Sequence, residues 1–93
     1  MDREPRAAAE AVVRELVAGR PPAEAALALA ELATKAVAEL QRLARQQADA
    51  YRGQPQWGAW AKLANVARKG VLDLASCRDA AREVQERQGE PAP

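Results

Sequence analysis

The sequence contains no histidine, no phenylalanine, no isoleucine and a single cysteine among its 93 residues. The absence of histidine removes the most common general base of enzymes and the most common zinc ligand of proteins. One cysteine cannot form an internal disulfide, and isolated glycines cannot form a phosphate-binding loop. The carboxylates are spread singly among arginines, a pattern typical of a solvated helix surface. We therefore expect that the chain is not an enzyme and that it binds no cofactor and no metal.

Long apolar runs are also absent from the sequence. No stretch approaches the roughly 20 consecutive apolar residues of a membrane-spanning helix, and the first residues, including Asp2, Arg3 and Glu4, lack the apolar core of a signal peptide. The single thiol, Cys77, favours a reducing compartment. These features predict a cytoplasmic protein without a membrane partner. The excess of arginine over lysine, together with abundant alanine, is typical of a high-GC bacterial genome.

Alanine is the most abundant residue, with 24 copies against nine leucines and seven valines. Because alanine has the highest helix propensity, this composition favours long helices. Alanine also buries little area, and burial stabilises a fold by roughly 25 cal/mol per Å² of apolar surface. A core built from alanines is therefore thin, and we expect the chain to need a second copy or a partner to complete it.

Two breaks divide the chain into three predicted helices. Gly19 and the prolines that follow it end a short first helix, and the four residues from Gly53 onward separate two longer ones. Long helices joined by so short a connection normally pack as antiparallel neighbours. The sequence predicts an all-α fold: a short N-terminal helix plus a long antiparallel helical hairpin, completed by oligomerisation into a helical bundle. The predicted segments are helices at about 5–18, 22–52 and 56–88, a single domain over 1–89 and a disordered tail at 90–93.

Apolar spacing predicts which face of each long helix is buried. The third helix repeats at steps of three and four residues over about four heptads, the spacing of a helix that packs on another helix. Its predicted buried columns contain Trp57, Ala64, Val71, Arg78 and Gln85; Trp60, Ala67, Leu74 and Ala81; and Leu63, Gly70, Cys77 and Val84. The predicted buried row of the second helix contains Leu29, Leu32, Ala36, Leu40, Leu43, Gln47 and Tyr51, widened by Leu27 and Val37.

Arg78 is the only charged residue in these columns. Its guanidinium can reach solvent at the edge of the helix while its apolar stem stays packed. Alternatively, it can pair with an acid on the facing helix or across a dimer, which would fix the register. The sequence leaves both interpretations open.

Charge is distributed unevenly, although the net charge is only +1. Residues 35–69 carry seven basic and two acidic side chains, and the same segment holds all three aromatic residues, Tyr51, Trp57 and Trp60. The predicted interaction surface, for an acidic protein or for nucleic acid, contains Arg42, Arg45, Arg52, Trp57, Trp60, Lys62, Arg68 and Lys69. The tryptophans can instead close the core at the end of the hairpin, since both occupy predicted core columns.

Three functional hypotheses follow, and none of them involves catalysis. The first is a protein-protein interaction or assembly module that acts through helix packing, with a second copy in a dimer, or another helical protein, as its partner. The second is a small nucleic-acid-associated accessory protein that uses the basic, tryptophan-containing end of the hairpin. The third is an adaptor or inhibitor whose short first helix exchanges with a helix of its partner.

Overall fold

Three α-helices make up the part of the chain that the structure describes. The computed structural model describes residues 4–87, in which α1 spans Pro5–Val17, α2 spans Pro22–Ala50 and α3 spans Trp57–Arg87. This part contains no β-strand, and α2 packs against α3 along the hairpin. The predicted all-α fold, a short helix followed by a helical hairpin, is therefore confirmed. The predicted tail at 90–93 and the last residue of the predicted third helix lie outside the described residues.

Prolines and glycines set the ends of the helices. α1 and α2 each have a proline in the first turn, where a missing backbone N–H leaves no helical hydrogen bond unmade. Gly19 (φ +73°) and Gly53 (φ +85°) adopt the left-handed conformation that glycine reaches without strain. After α2, the backbone N–H of Gln54 donates to the Tyr51 carbonyl at 2.8 Å, and that of Trp57 donates to the Gln54 carbonyl at 3.0 Å. This tight turn returns the start of α3 alongside the end of α2.

Two contacts between α2 and α3 define the register of the hairpin. A Cβ atom on Gly70 would lie 3.3 Å from the Cγ1 atom of Val37, so the two helices approach closely at this level. Nearer the open end, Arg82 Nη2 lies 3.7 Å from Glu31 Oε2. From one contact to the other, residue numbers fall along α2 while they rise along α3. The two helices are therefore antiparallel.

A heptad pattern runs along the contact between the two helices, which we call the seam. Seam positions on both helices alternate in steps of three and four residues, and all are buried or half-buried. The seam on the α2 side consists of Ala23, Leu27, Ala30, Thr34, Val37, Gln41, Ala44, Ala48 and Tyr51. The seam of α3 consists of Trp60, Ala64, Ala67, Val71, Leu74, Arg78, Ala81 and Gln85. Every buried residue in the described chain is an alanine, so the most buried positions of the seam have small side chains.

The predicted buried row of α2 is wrong at three of its seven positions. Ala36, Leu40 and Leu43 are exposed, and the two leucines keep 41% and 43% of their surface open to solvent. The structure instead buries Ala44 and Ala48, which face α3. Small residues at a helix contact allow the axes to come close, whereas a row of leucines would hold them apart. The remaining members of the predicted row are half-buried: Leu29, Leu32, Gln47 and Tyr51.

The predicted columns of α3 agree with the seam except at its start and along one edge. Trp57, expected in the core, is 44% exposed in the first turn of the helix. In the third predicted column, Leu63 and Gly70 are half-buried, but Cys77 and Val84 are exposed. This column lies beside the seam rather than in it, so α2 covers it only where the two helices are closest.

The three helices lie in one flat layer. The Cα positions span 61 × 33 × 12 Å. Two stacked layers of helices with axes 8–10 Å apart would need a depth of about 13–15 Å. α1 contacts α2 and, among residues 4–87, does not pack on α3. Helical domains normally bury their apolar stripes between two packed layers, and residues 4–87 form one layer.

The size of the surface agrees with a single layer. The radius of gyration is 17.2 Å, against about 12 Å for a compact domain of this length. The accessible surface is 7106 Å², whereas a compact monomer of 10.0 kDa would expose about 5200 Å². The chain alone therefore leaves roughly 1900 Å² more surface open than a compact domain of its mass does.

Candidate functional site

The seam divides the surface of the hairpin into two faces. Successive residues of a helix are roughly 100° apart around its axis. Measured from the seam residue Val37, Glu31 lies about 120° away in one sense, and Leu40 and Leu43 lie about 60° and 120° away in the other. Glu31 meets Arg82 of α3 on its own side of the seam. Leu40 and Leu43 therefore belong to the opposite side.

Two exposed apolar residues of α3, Leu72 and Val66, lie on opposite sides of the seam. Leu72 shares a side with Asp79, two turns away, and Asp79 lies 3.9 Å from Arg82. Leu72 is therefore on the Glu31 side. Measured from the seam residue Val71, Leu72 lies about 100° away in one sense and Val66 about 140° away in the other. Val66 is therefore on the side of Leu40 and Leu43. We call the latter surface the apolar face and the former the charged face.

The two faces differ in composition. The apolar face includes Ala36, Leu40, Leu43, Gln47, Leu63, Val66, Cys77 and Val84, and Asp73 borders it. The charged face consists of Glu31, Arg42, Arg45, Arg68, Leu72, Asp79 and Arg82. One side of the hairpin is therefore mainly apolar and the other is mainly charged.

The apolar face is open over the half of the hairpin nearest the turn. α1 has 13 residues and α2 has 29, which correspond to about 20 Å and about 44 Å of helix. α1 is connected to the start of α2 and is less than half as long, so it does not reach Leu40 and Leu43. α1 adds open apolar surface of its own at Val12, Val13 and Val17. Contiguous exposed apolar patches larger than a few hundred Å² are typical of interaction sites in soluble proteins.

An ion pair between Arg82 and Glu31 crosses the seam on the charged face. The Arg82 guanidinium lies 3.7 Å from Glu31 and 3.9 Å from Asp79, and its side chain is half exposed. Exposed pairs of this kind contribute about 0–1 kcal/mol each because water screens them. Their main consequence is to fix which side of the hairpin stays hydrated.

Arg78 does not make the cross-helix pair that one interpretation expected. Its Nε atom lies 3.8 Å from Asp79 Oδ1, a neighbour on α3, and is buried without a hydrogen-bond partner. The rest of the side chain is partly exposed, with its stem in the seam. Among residues 4–87, Arg82 is the arginine that reaches an acid of the facing helix. The solvent-reaching interpretation of Arg78 therefore agrees better with the structure.

The predicted basic surface is divided by the fold. Arg42 donates to the Glu39 carboxylate, and this hydrogen bond holds the pKa of Glu39 below, and the pKa of Arg42 above, its ordinary value. Arg52 pairs with Asp49 at 3.2 Å. Within the described residues, four predicted cations pair with no acid: Arg45, Lys62, Arg68 and Lys69. Arg42, Arg45 and Arg68 share the charged face, whereas Lys62 and Lys69 point away from α2 on the outer side of α3.

The aromatic residues gather at the turn but differ in burial. Tyr51 and Trp60 are half-buried in the seam, and Trp57 is exposed. Trp57 lies three turns before Arg68 on the same side of α3, toward the charged face. The structure thus separates a core tryptophan from an accessible one. It also puts the accessible tryptophan on the opposite side from Leu40 and Leu43.

Two exposed apolar residues belonged to no predicted column. Val66 and Leu72 are 59% and 64% exposed. Both residues are large and apolar, yet neither occupies a heptad position of α3, and this can be read from the sequence. That signal indicates an apolar surface outside the hairpin's own contact, but the sequence alone does not say which of the two joins the leucines of α2.

Other surface features are weaker candidates. A shallow depression of about 420 Å³ lies along α1 and is lined by Arg6, Ala9, Glu10, Val13 and Arg14. Over residues 4–87, no helix combines the length and apolarity that crossing a bilayer requires. The same stretch contains no group of three or more side chains suited to hold a metal ion. The prediction that the chain is not an enzyme still rests on its sequence.

Comparison with known proteins adds no relative. No protein-family model matches the chain, and neither a curated protein nor a solved structure is significantly similar to it.

Proposed function

We propose that the chain is a non-catalytic interaction or assembly module that acts through helix packing. The observation that supports this most directly is a single layer of helices in which the buried residues, over positions 4–87, are all alanines. Such a layer leaves Leu40, Leu43 and Val66 in water on one face. Covering them with apolar surface is favourable by roughly 25 cal/mol per Å². The partner is a second copy or another helical protein, in a reducing bacterial cytoplasm.

A second function, association with nucleic acid, is favoured by one specific observation. Trp57 is accessible and lies on the side of α3 that also carries Arg68. Exposed aromatic rings stack on bases, and cations that pair with no acid contact phosphates. This function would use the charged face, opposite the open leucines. The two functions therefore predict different surfaces as well as different ligands.

Titration with single-stranded DNA and RNA, followed by tryptophan fluorescence, separates the two functions. A helix-packing module should show no response at ~150 mM salt, where surface charges are screened beyond about 8 Å. Nucleic-acid binding would quench Trp57 and weaken steeply with salt, because bound cations displace counterions from the phosphates. The Arg68→Gln variant tests the charged face separately. It should weaken such quenching and leave the apolar face unchanged.

A further inference from the structure

We propose that a second copy of the chain covers the apolar face and runs antiparallel to the first, so that two flat layers form a closed helical bundle. This inference rests on the proposed function and specifies its partner and orientation. The contact is isologous: a two-fold axis perpendicular to the helices places the same patch of each copy against its counterpart.

The size of the open surface supports a second copy. A stable interface buries about 800 Å² on each partner. The excess surface of this chain over a compact monomer, roughly 1900 Å² counted over both faces of the layer and α1, is larger than the area that one partner contributes. A second layer would also convert a 12 Å slab into the two-layer architecture that encloses an apolar core.

The charge distribution selects the antiparallel orientation. The contact of Val37 with Gly70 divides the hairpin into a turn half and an open half. The turn half, residues 38–69, carries six basic and two acidic side chains. The open half, residues 22–36 and 71–87, carries four basic and six acidic side chains. Arg42, Arg45 and Arg68 lie on the opposite face, so the charges nearest a second copy include Asp73 in the open half and Lys62 and Lys69 on the outer side of α3 in the turn half. Antiparallel stacking brings Asp73 of each copy toward the lysines of the other, whereas parallel stacking would keep the two basic ends side by side.

A pair of matched variants tests which face is covered. Val66 and Leu72 are both on α3, are 59% and 64% exposed, and flank the seam on opposite sides. Val66→Glu should raise the dimer dissociation constant at least on the order of 100-fold, because the carboxylate would be buried in an apolar contact of both copies. Leu72→Glu should leave the constant within about threefold, since the charged face stays hydrated. Sedimentation equilibrium measures both, and circular dichroism checks that each variant stays helical.

Spin labels at the turn test the orientation. In a Cys77→Ser background that remains dimeric, a label at Gln54→Cys reports the distance between the two turns. The antiparallel dimer predicts a separation of about 40–50 Å, close to the length of α2 at 1.5 Å per residue. A separation under about 20 Å, the width of two adjacent helices, would mean parallel stacking and would overturn the proposed orientation.

Failure of this inference can be distinguished from failure of the proposed function. A dimer that Leu72→Glu dissociates and Val66→Glu does not would use the other face, which overturns the inference and leaves the helix-packing function standing. A monomeric wild type with a broad, non-cooperative melt would also overturn the proposed dimer. The helix-packing function would then stand with a different helical protein as the partner. A monomer that melts cooperatively and independently of concentration would overturn both.

Discussion

Gly70 of α3 lies so close to Val37 of α2 that a Cβ atom on residue 70 would come within 3.3 Å of the valine Cγ1 atom. The Val37 methyl group is the nearest atom that a side chain at position 70 would contact. The contact lies at the edge of the seam, beside the apolar face. Glycine inside a helix is less favourable than alanine by about 1 kcal/mol. At this position glycine lowers the helix propensity of α3 but lets the two helices come closer together.

Gly70→Ala should therefore have an effect that depends on residue 37. In the wild type, the gain in helix propensity and the crowding of the stiff, β-branched valine oppose each other, so stability should change by less than about 0.5 kcal/mol. In a Val37→Ala background the crowding is absent, and the same substitution should stabilise the protein by about 1 kcal/mol. Denaturant unfolding of the four proteins gives the coupling. Equal gains in both backgrounds would show that the two residues do not limit the approach of the helices.

A charge placed in the seam should disrupt the hairpin, whereas removal of a charge outside it should not. Leu74 is half-buried in the seam, and Lys62 is exposed on the outer side of α3. Leu74→Asp should lower the free energy of unfolding by several kcal/mol, because an unpaired carboxylate would be buried between the helices. Lys62→Ala should change it by less than about 0.5 kcal/mol. Urea unfolding followed by circular dichroism measures both, and similar losses would mean that the seam is assigned to the wrong side of α3.

The two tryptophans should report different environments. In a Trp57→Phe variant the remaining Trp60 should emit at shorter wavelength and be quenched poorly by iodide, because it is half-buried. In a Trp60→Phe variant the remaining Trp57, which is 44% exposed, should be quenched readily. Trp60→Ala should cost about 2 kcal/mol of stability, less than the ~3–5 kcal/mol of a fully buried tryptophan, and Trp57→Ala less still. Equal quenching of the two variants would contradict the placement of Trp60 in the seam.

The sequence predicts the helices and the packed face of α3 better than it predicts the face of α2. On α3 the heptad row contains the large apolar residues Leu74 and Val71, so side-chain size and heptad spacing predict the same buried side of the helix. On α2 they conflict: the leucines at 40 and 43 follow a straight-helix row, while the seam follows alanines. A prediction based on hydrophobicity selects the leucines, whereas the helix contact uses Ala44 and Ala48, because small residues let the helix axes come closer.

The candidate surfaces could be predicted only in part, for a related reason. Apolar residues that miss the heptad row, such as Val66, reveal that open apolar surface exists. Which of them share a face depends on the register of α2 against α3, and that register is set by cross-helix contacts such as the one between Glu31 and Arg82. Similarly, the sequence groups the basic residues near the turn, but it does not show that Arg42 and Arg52 pair with acids on their own helix.

The most direct test is the thermal melting of the wild-type chain as a function of concentration, combined with its mass in solution. Because a partner that binds only the folded state raises the melting temperature by mass action, we expect the midpoint to rise between ~1 μM and ~100 μM protein. We also expect a mass near twice 10.0 kDa at the upper concentration. A monomeric mass at ~100 μM, with a cooperative midpoint that does not move, would show that the single layer is a complete fold, in contradiction to assembly through its apolar face.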